Sequence, residues 1–145
     1  RPRKARGCDL AVSLATEATL SGTLPDGGKD TTTVRVASIV PFLVMKAMAL
    51  AGRLMEKDAW DIYYCIRYYP GGVNQIADEF RPHLGNRLVQ EALEKIAEKF
   101  ASPEHIGPKH VADFEDLSDP DERARYQRDA FERINALIET LEGGA

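Results

Sequence analysis

The chain has 145 residues, 43% of them apolar and 29% charged; a single globular domain of this size buries roughly 70% of its unfolded surface and needs neither metal nor disulfide to fold. Cys8 and Cys65 stand 57 positions apart with no CxxC or Cys/His spacing, which argues against a zinc module and a disulfide framework and fits reduced thiols in the cytosol. The net charge of -4 speaks against a chain-wide electrostatic binder of nucleic acid, and the longest stretch low in charge, Ile39 to Gly52, is 14 residues with Lys46 inside it, short of the roughly 20 that a membrane-spanning helix needs.

Charge is unevenly placed. Residues 1–38 carry six basic and four acidic side chains, whereas residues 111–145 carry four and ten, so the acidic surplus belongs to the C-terminal segment, as on a solvated helix face. The basic lead Arg1, Arg3, Lys4 and Arg6 has no apolar stretch behind it, unlike a signal peptide. A start at Arg1 instead of Met reads as the middle of a longer chain, and a piece of a larger machine is the expectation.

In chain order, alternation at Cys8, Leu10, Val12 and Leu14 predicts a strand, and Ala18 to Thr23 a second. Leu24-Pro25-Asp26-Gly27-Gly28 is turn chemistry, and Thr31 to Ala37, with Val34 and Val36 on one side, predicts a third strand. Residues 1–38 are thus expected to form a small antiparallel, β-rich remnant of a larger core, too small to fold alone. From residue 39 to 145 the pattern is helical. Ser38 is a cap candidate, Phe42 to Ala51 is apolar nearly all round, as in a buried helix, and Gly52 is placed to end it. A second, aromatic-rich helix is predicted from Asp58 to Tyr69, stopped by Pro70-Gly71-Gly72. Shorter helices are predicted near Val73 to Phe80, from Asn86 to Phe100, and from the Ser102-Pro103 cap signal. Asp119-Pro120 opens the last one, whose stripe is Tyr126, Ala130, Ile134, Leu137 and Leu141. The expected class is α+β: a small antiparallel sheet followed by a helical bundle.

Lys46 is the informative residue. An ammonium on a largely buried helix is costly unless a carboxylate, a phosphate or a water-lined cleft receives it. Arg53 lies two helical turns on, so both cations share a face and can meet one anion, which suggests phosphate; snorkelling of Lys46 and a dipole role for Arg53 in the last turn are the structural alternatives. In Lys57-Asp58-Ala59-Trp60-Asp61, Asp58 is placed to cap the second helix, while Asp58, Asp61 and Cys65 share one face, from which either carboxylate can pair with Lys46 or reach a metal-bound nucleotide. Trp60, Ile62, Tyr63, Tyr64, Ile66, Tyr68 and Tyr69 read as core and interface residues ahead of a stacking platform. His83, His105 and His110 have no metal-ligand spacing.

Phe42-Leu43-Val44-Met45-Lys46-Ala47-Met48-Ala49-Leu50, Arg53 and Lys57-Asp58-Ala59-Trp60-Asp61-Ile62-Tyr63-Tyr64 together resemble the C-terminal half of the AbiEii/AbiGii toxin family of nucleotidyltransferases, in which a helix with lysine and arginine precedes a KDxxD(I/L)Y segment. The likeness spans residues 34–72. It implies a polymerase-β-type fold, in which a lysine and an aspartate from these segments join upstream carboxylates around a nucleoside triphosphate (NTP) and its Mg2+ ions. By that resemblance Lys46 and Asp58 are the catalytic positions, Lys46, Arg53 and Lys57 the nucleotide-binding ones, and Asp61 is structural. The implied activity is transfer of a nucleoside monophosphate from the NTP to an RNA or protein acceptor, with a cognate antitoxin as partner.

The family's glycine-serine segment and DxD strand do not occur in this sequence; Asp119-Pro120-Asp121 opens a helix in the acidic tail, where capping explains it. The expectation is therefore nucleotide-facing helices without the metal-binding strand, inactive by themselves. Two further readings compete: a non-enzymatic helical module that binds a partner through its acidic last helix, and a nucleic-acid-binding module using Arg1 to Arg6 and Arg53, which predicts salt-sensitive RNA binding.

Overall fold

The computed structural model describes residues 5–144; Arg1, Arg3 and Lys4 of the basic lead lie outside them. The class is α+β. Helix α1 (Cys8–Ser13) leads into an antiparallel ribbon of β1 (Ala15–Thr23) and β2 (Lys29–Ala37). Six helices follow: α2 (Ile39–Arg53), α3 (Glu56–Tyr68), α4 (Gly72–Phe80), α5 (Arg87–Lys99), α6 (Ile106–Phe114) and α7 (Pro120–Gly143), with a 3-10 turn at Arg81–His83.

The first predicted strand is a helix. Its alternating set contains Leu10 and Leu14, four apart, and these two lean on the core while Val12 faces solvent; a spacing of four serves a helix as well as the alternation serves a strand. The sheet accordingly has two strands among the described residues, in register from Ala15 opposite Ala37 to Thr23 opposite Lys29. Most of the ribbon is exposed. Its tip is closed by Gly27 N–H donating to the Leu24 carbonyl at 2.9 Å and Leu24 N–H to that of Gly28 at 2.7 Å, with Gly27 at φ 85°, a conformation natural to glycine.

Helix α2 is the central post and packs against α1, α3, α4 and α5. It buries Ile39, Val40, Leu43, Val44, Ala47 and Leu50, as the nearly all-round apolar pattern predicts. Ser38 precedes it without a side-chain capping bond. Gly52 does not end it: the helix runs through to Arg53 and stops at Leu54, which adopts a left-handed conformation at φ 49°. In α3, Met55 holds the capping position and Asp58 is the third helical residue, one turn inside the place expected for it. Ala59, Ile62, Tyr63 and Ile66 fill the core from α3, and Ala130, Ile134 and Leu137 close it from α7.

Two helices are capped by side chains, one at the predicted Asp119 and one at Asn86, where the sequence set only a helix start. Asn86 accepts from Leu88 N at 2.8 Å and Val89 N at 3.4 Å, and Asp119 accepts from Glu122 N at 2.8 Å. The Ser102 signal starts a turn instead of a helix: its hydroxyl binds Glu104 N at 3.2 Å and His105 Nδ1 at 2.9 Å, so α6 begins only at Ile106. There Gly107 comes so close to the end of α5 that a Cβ would lie 2.7 Å from the Lys99 carbonyl oxygen and 2.8 Å from the Phe100 ring.

Candidate functional site: a charged hairpin beside a cationic cleft

The two-residue link Leu54-Met55 folds α3 back along α2, bringing Lys46, Arg53, Lys57, Asp58 and Asp61 into one network. Asp58, with its side chain 1% exposed, accepts from Arg53 Nε at 2.7 Å, Arg53 Nη2 at 2.8 Å and Lys46 Nζ at 3.1 Å. The Lys46 ammonium also lies 2.5 Å from Asp61 Oδ2. Lys57 holds Asp61 from the other side, at 2.7 and 2.9 Å. A carboxylate this deeply buried is tolerable only with such partners. Burial would raise the Asp58 carboxyl, but the hydrogen bonds and charges of Arg53 and Lys46 outweigh it and hold the group below the usual carboxylate range. Burial likewise works to lower Lys46; the bonds to Asp61 and Asp58 prevail and raise it.

Every residue that the resemblance assigns to catalysis or nucleotide binding, Lys46, Asp58, Arg53 and Lys57, is thus in this network. The anion shared by Lys46 and Arg53 is Asp58 itself. Asp61, expected to be structural, is a full member and the nearer anion to Lys46. The i,i+4 spacing of Lys57 and Asp61 was its visible sign.

Lys46 and Arg53 also line a cleft of about 720 Å3, together with Met45, Met48, Arg6 and Lys95. Arg6 and Lys95 reach the cleft from distant parts of the chain and share Glu91, at 2.5 and 3.6 Å; Arg6 belongs to the basic lead and Lys95 stands i,i+4 from Glu91, but no local pattern places either at the cleft. Across these ion pairs five cations face three carboxylates, leaving a positive excess of two in a chain whose net charge is -4. Such a concentration favours an anion.

Asp58 and Asp61 present no free pair of oxygens to a divalent ion, since ammonium and guanidinium groups occupy them, and among the described residues no group of three His, Cys, Asp or Glu gathers elsewhere. The donor set of this hairpin does not fit Mg2+, which demands oxygen ligands in near-octahedral array. Cys65 follows Asp61 by one turn; burial, then the Asp61 charge, pushes its thiol up, which disfavours the reactive thiolate.

On the outer side of α3, Trp60, Tyr64 and Tyr68 form a row, Trp60 stacked on Tyr64 with ring centroids 4.7 Å apart and Tyr68 tilted against Tyr64 at 4.8 Å, and Phe114 of α6 meets Trp60 at 4.9 Å. Tyr64 is 46% and Tyr68 59% exposed, so the apolar and aromatic residues of α3 divide: Ile62, Tyr63 and Ile66 are core, Trp60 packs against its edge, and Tyr64 and Tyr68 face water. Tyr63 is tied to α7, donating to Asp129 Oδ2 at 2.6 Å. Arg133 donates to both Asp129 oxygens at 2.9 Å, and Arg67 contacts the Tyr63 hydroxyl. The sequence reading assigned Tyr63 to the core and passed over Arg67, Asp129 and Arg133; the i,i+4 pairs Tyr63/Arg67 and Asp129/Arg133 were the available signal.

Fold and site together describe an α+β chain with a cation-rich cleft beside a helical hairpin. Among the described residues no helix is long and apolar enough to cross a membrane. No protein-family model, curated protein or solved structure matches the chain.

Proposed function

We propose that the α2–α3 hairpin binds the phosphates of a nucleoside triphosphate and serves a nucleotidyltransferase of the AbiEii/AbiGii kind. The observation that carries this reading is the convergence of Lys46 and Arg53 on one buried carboxylate at the wall of a cleft with positive charge in excess. Asp58 holds both cations in place without neutralising the network, so the ammonium and guanidinium are positioned before a phosphate arrives and lose little freedom on binding it. Asp61 and Lys57 fix the other side of the Lys46 ammonium.

In the transfer, an acceptor hydroxyl on RNA or protein attacks the α-phosphorus and gives up its proton to solvent water. The new P–O bond forms as the bond to the α–β bridging oxygen breaks, and pyrophosphate leaves with the electron pair. Lys46 and Arg53 stabilise the charge that develops on the phosphates. A cognate antitoxin would act by covering this cleft.

The test is calorimetric titration of the chain with ATP and with inorganic tripolyphosphate. Lys46→Met and Arg53→Met should each weaken both ligands about tenfold or more, the worth of one charge-assisted hydrogen bond, while Arg128→Met on the exposed side of α7 leaves them unchanged. Affinity of the Lys46 variant equal to that of the unmodified chain would overturn the reading. In a longer protein that also supplies the glycine-serine segment and DxD strand, label from an α-phosphate-labelled NTP should enter RNA or protein only with Lys46 present.

A further inference from the structure

A second hollow, of about 300 Å3, opens between the start of α2 and the end of α3, walled by Phe42, Tyr64, Cys65 and Tyr68 and floored by Ile39 and Pro70. It lies at the bottom of the size range of ligand pockets, roughly 300 to 1,000 Å3, which suits one planar ring system. No side chain ionised at neutral pH lines it. Cations flank it: the Lys46 ammonium is 5.8 Å from the centre of the Phe42 ring, that of Lys57 is 5.9 Å from the Trp60 ring, which stacks on Tyr64, and the Arg67 guanidinium is 5.2 Å from the Tyr68 ring. A ligand seated here is aromatic within the hollow and anionic where it reaches Lys46, which lines the cationic cleft and lies 5.8 Å from the Phe42 ring of the hollow.

We propose that this hollow takes the nucleobase of the nucleotide whose phosphates Lys46 engages, the base stacking on Tyr64 and Tyr68 beside Phe42. The assignment rests on the phosphate reading for the anionic end and adds the half of the ligand that the charged network does not explain. Stacking on an aromatic face tolerates any base and contributes enough for its loss to be measured.

Trp60 is the one tryptophan of the sequence and touches the row at Tyr64, so its fluorescence reports occupancy. The full chain is titrated by calorimetry with ATP, adenosine, tripolyphosphate and N-acetyltryptophanamide, Trp60 fluorescence being read for the first three, alongside Tyr68→Ala and Tyr64→Ala; Tyr68 is exposed, and circular dichroism verifies that both variants fold. ATP should bind about tenfold tighter than tripolyphosphate and quench Trp60, and Tyr68→Ala should erase that advantage while tripolyphosphate binds as before. Equal affinity for ATP and tripolyphosphate, or an unchanged ATP advantage in both variants, overturns the base site and leaves the phosphate reading standing. Adenosine binding that depends on Tyr68, without any tripolyphosphate binding, supports the hollow and overturns the phosphate reading instead. N-acetyltryptophanamide competing as well as adenosine overturns the assignment to a nucleotide.

Discussion

The Lys46 ammonium lies closer to Asp61, at 2.5 Å, than to Asp58, at 3.1 Å, although Asp58 is the more deeply buried of the two carboxylates. The two anions consequently do different work. Asp58 is a nearly dry junction that depends on both Arg53 and Lys46; Asp61 is a wetter clamp with Lys57 as a second partner.

Removing the charge of Asp58 should therefore cost more than removing that of Asp61. Asp58→Asn strands Arg53 and Lys46 around a neutral amide and is expected to destabilise the chain by about 3 kcal/mol, whereas Asp61→Asn, nearer to solvent, is expected to cost about 1 kcal/mol. Urea unfolding of the two variants checks the order; equal midpoints would show that the network is not centred on Asp58.

Acid should loosen the protein through two carboxylates. Asp58 and Asp129 are both held below the ordinary range, burial being outweighed by Arg53 and Lys46 in one case and by Arg133 and Tyr63 in the other. A carboxyl whose folded pKa is depressed gives its full stabilisation above the unfolded value near 4 and loses it as pH falls through the folded value. Thermal unfolding should fall steeply below about pH 4, and Asp58→Asn should flatten that slope.

Alkali acts through Tyr69, whose hydroxyl is pushed up to about 12 by burial and by donation to Glu79 at 2.7 Å. A raised folded pKa gives stability that is complete below the unfolded value near 10 and is lost as pH rises toward the folded one. Tyr69→Phe should remove this part of the alkaline decline, read by the same thermal scans between neutral and high pH.

Gly107→Ala should destabilise by roughly 1–3 kcal/mol, because a methyl group would press on the Lys99 carbonyl and the Phe100 ring and drive α6 away from α5. A midpoint in urea identical to that of the unmodified chain would mean that the two helices part without cost.

The caps give a paired test. Asn86→Ala removes an acceptor used by two backbone amides and should cost about 1 kcal/mol, while Ser38→Ala, whose hydroxyl makes no capping bond, should stay within about 0.5 kcal/mol. Both are read from denaturant midpoints.

Sequence pattern located the long helices well because their apolar stripes carry the signal, as at Ile134, Leu137 and Leu141 in α7. It misplaced shorter events where two patterns coincide: Leu10 and Leu14 satisfy strand and helix alike, and Ser102 can begin a turn as readily as a helix. Lys46 was legible as a buried charge needing an anion, and its two-turn spacing from Arg53 made the shared partner legible too. Which anion that is depended on the tilt of α3 set by Leu54, for which a non-glycine residue at positive φ left no trace in the pattern. Arg6 was legible as part of the basic lead and Lys95 as an i,i+4 partner of Glu91, but their meeting was not, since only tertiary packing brings residues so far apart to one cleft.

The β1–β2 ribbon stands with both faces wet, and its Leu24–Gly28 tip is fastened only to itself. A foreign peptide spliced between Asp26 and Gly27 should consequently be carried without disturbing the helices, giving the molecule a natural handle for a dye or an affinity tag.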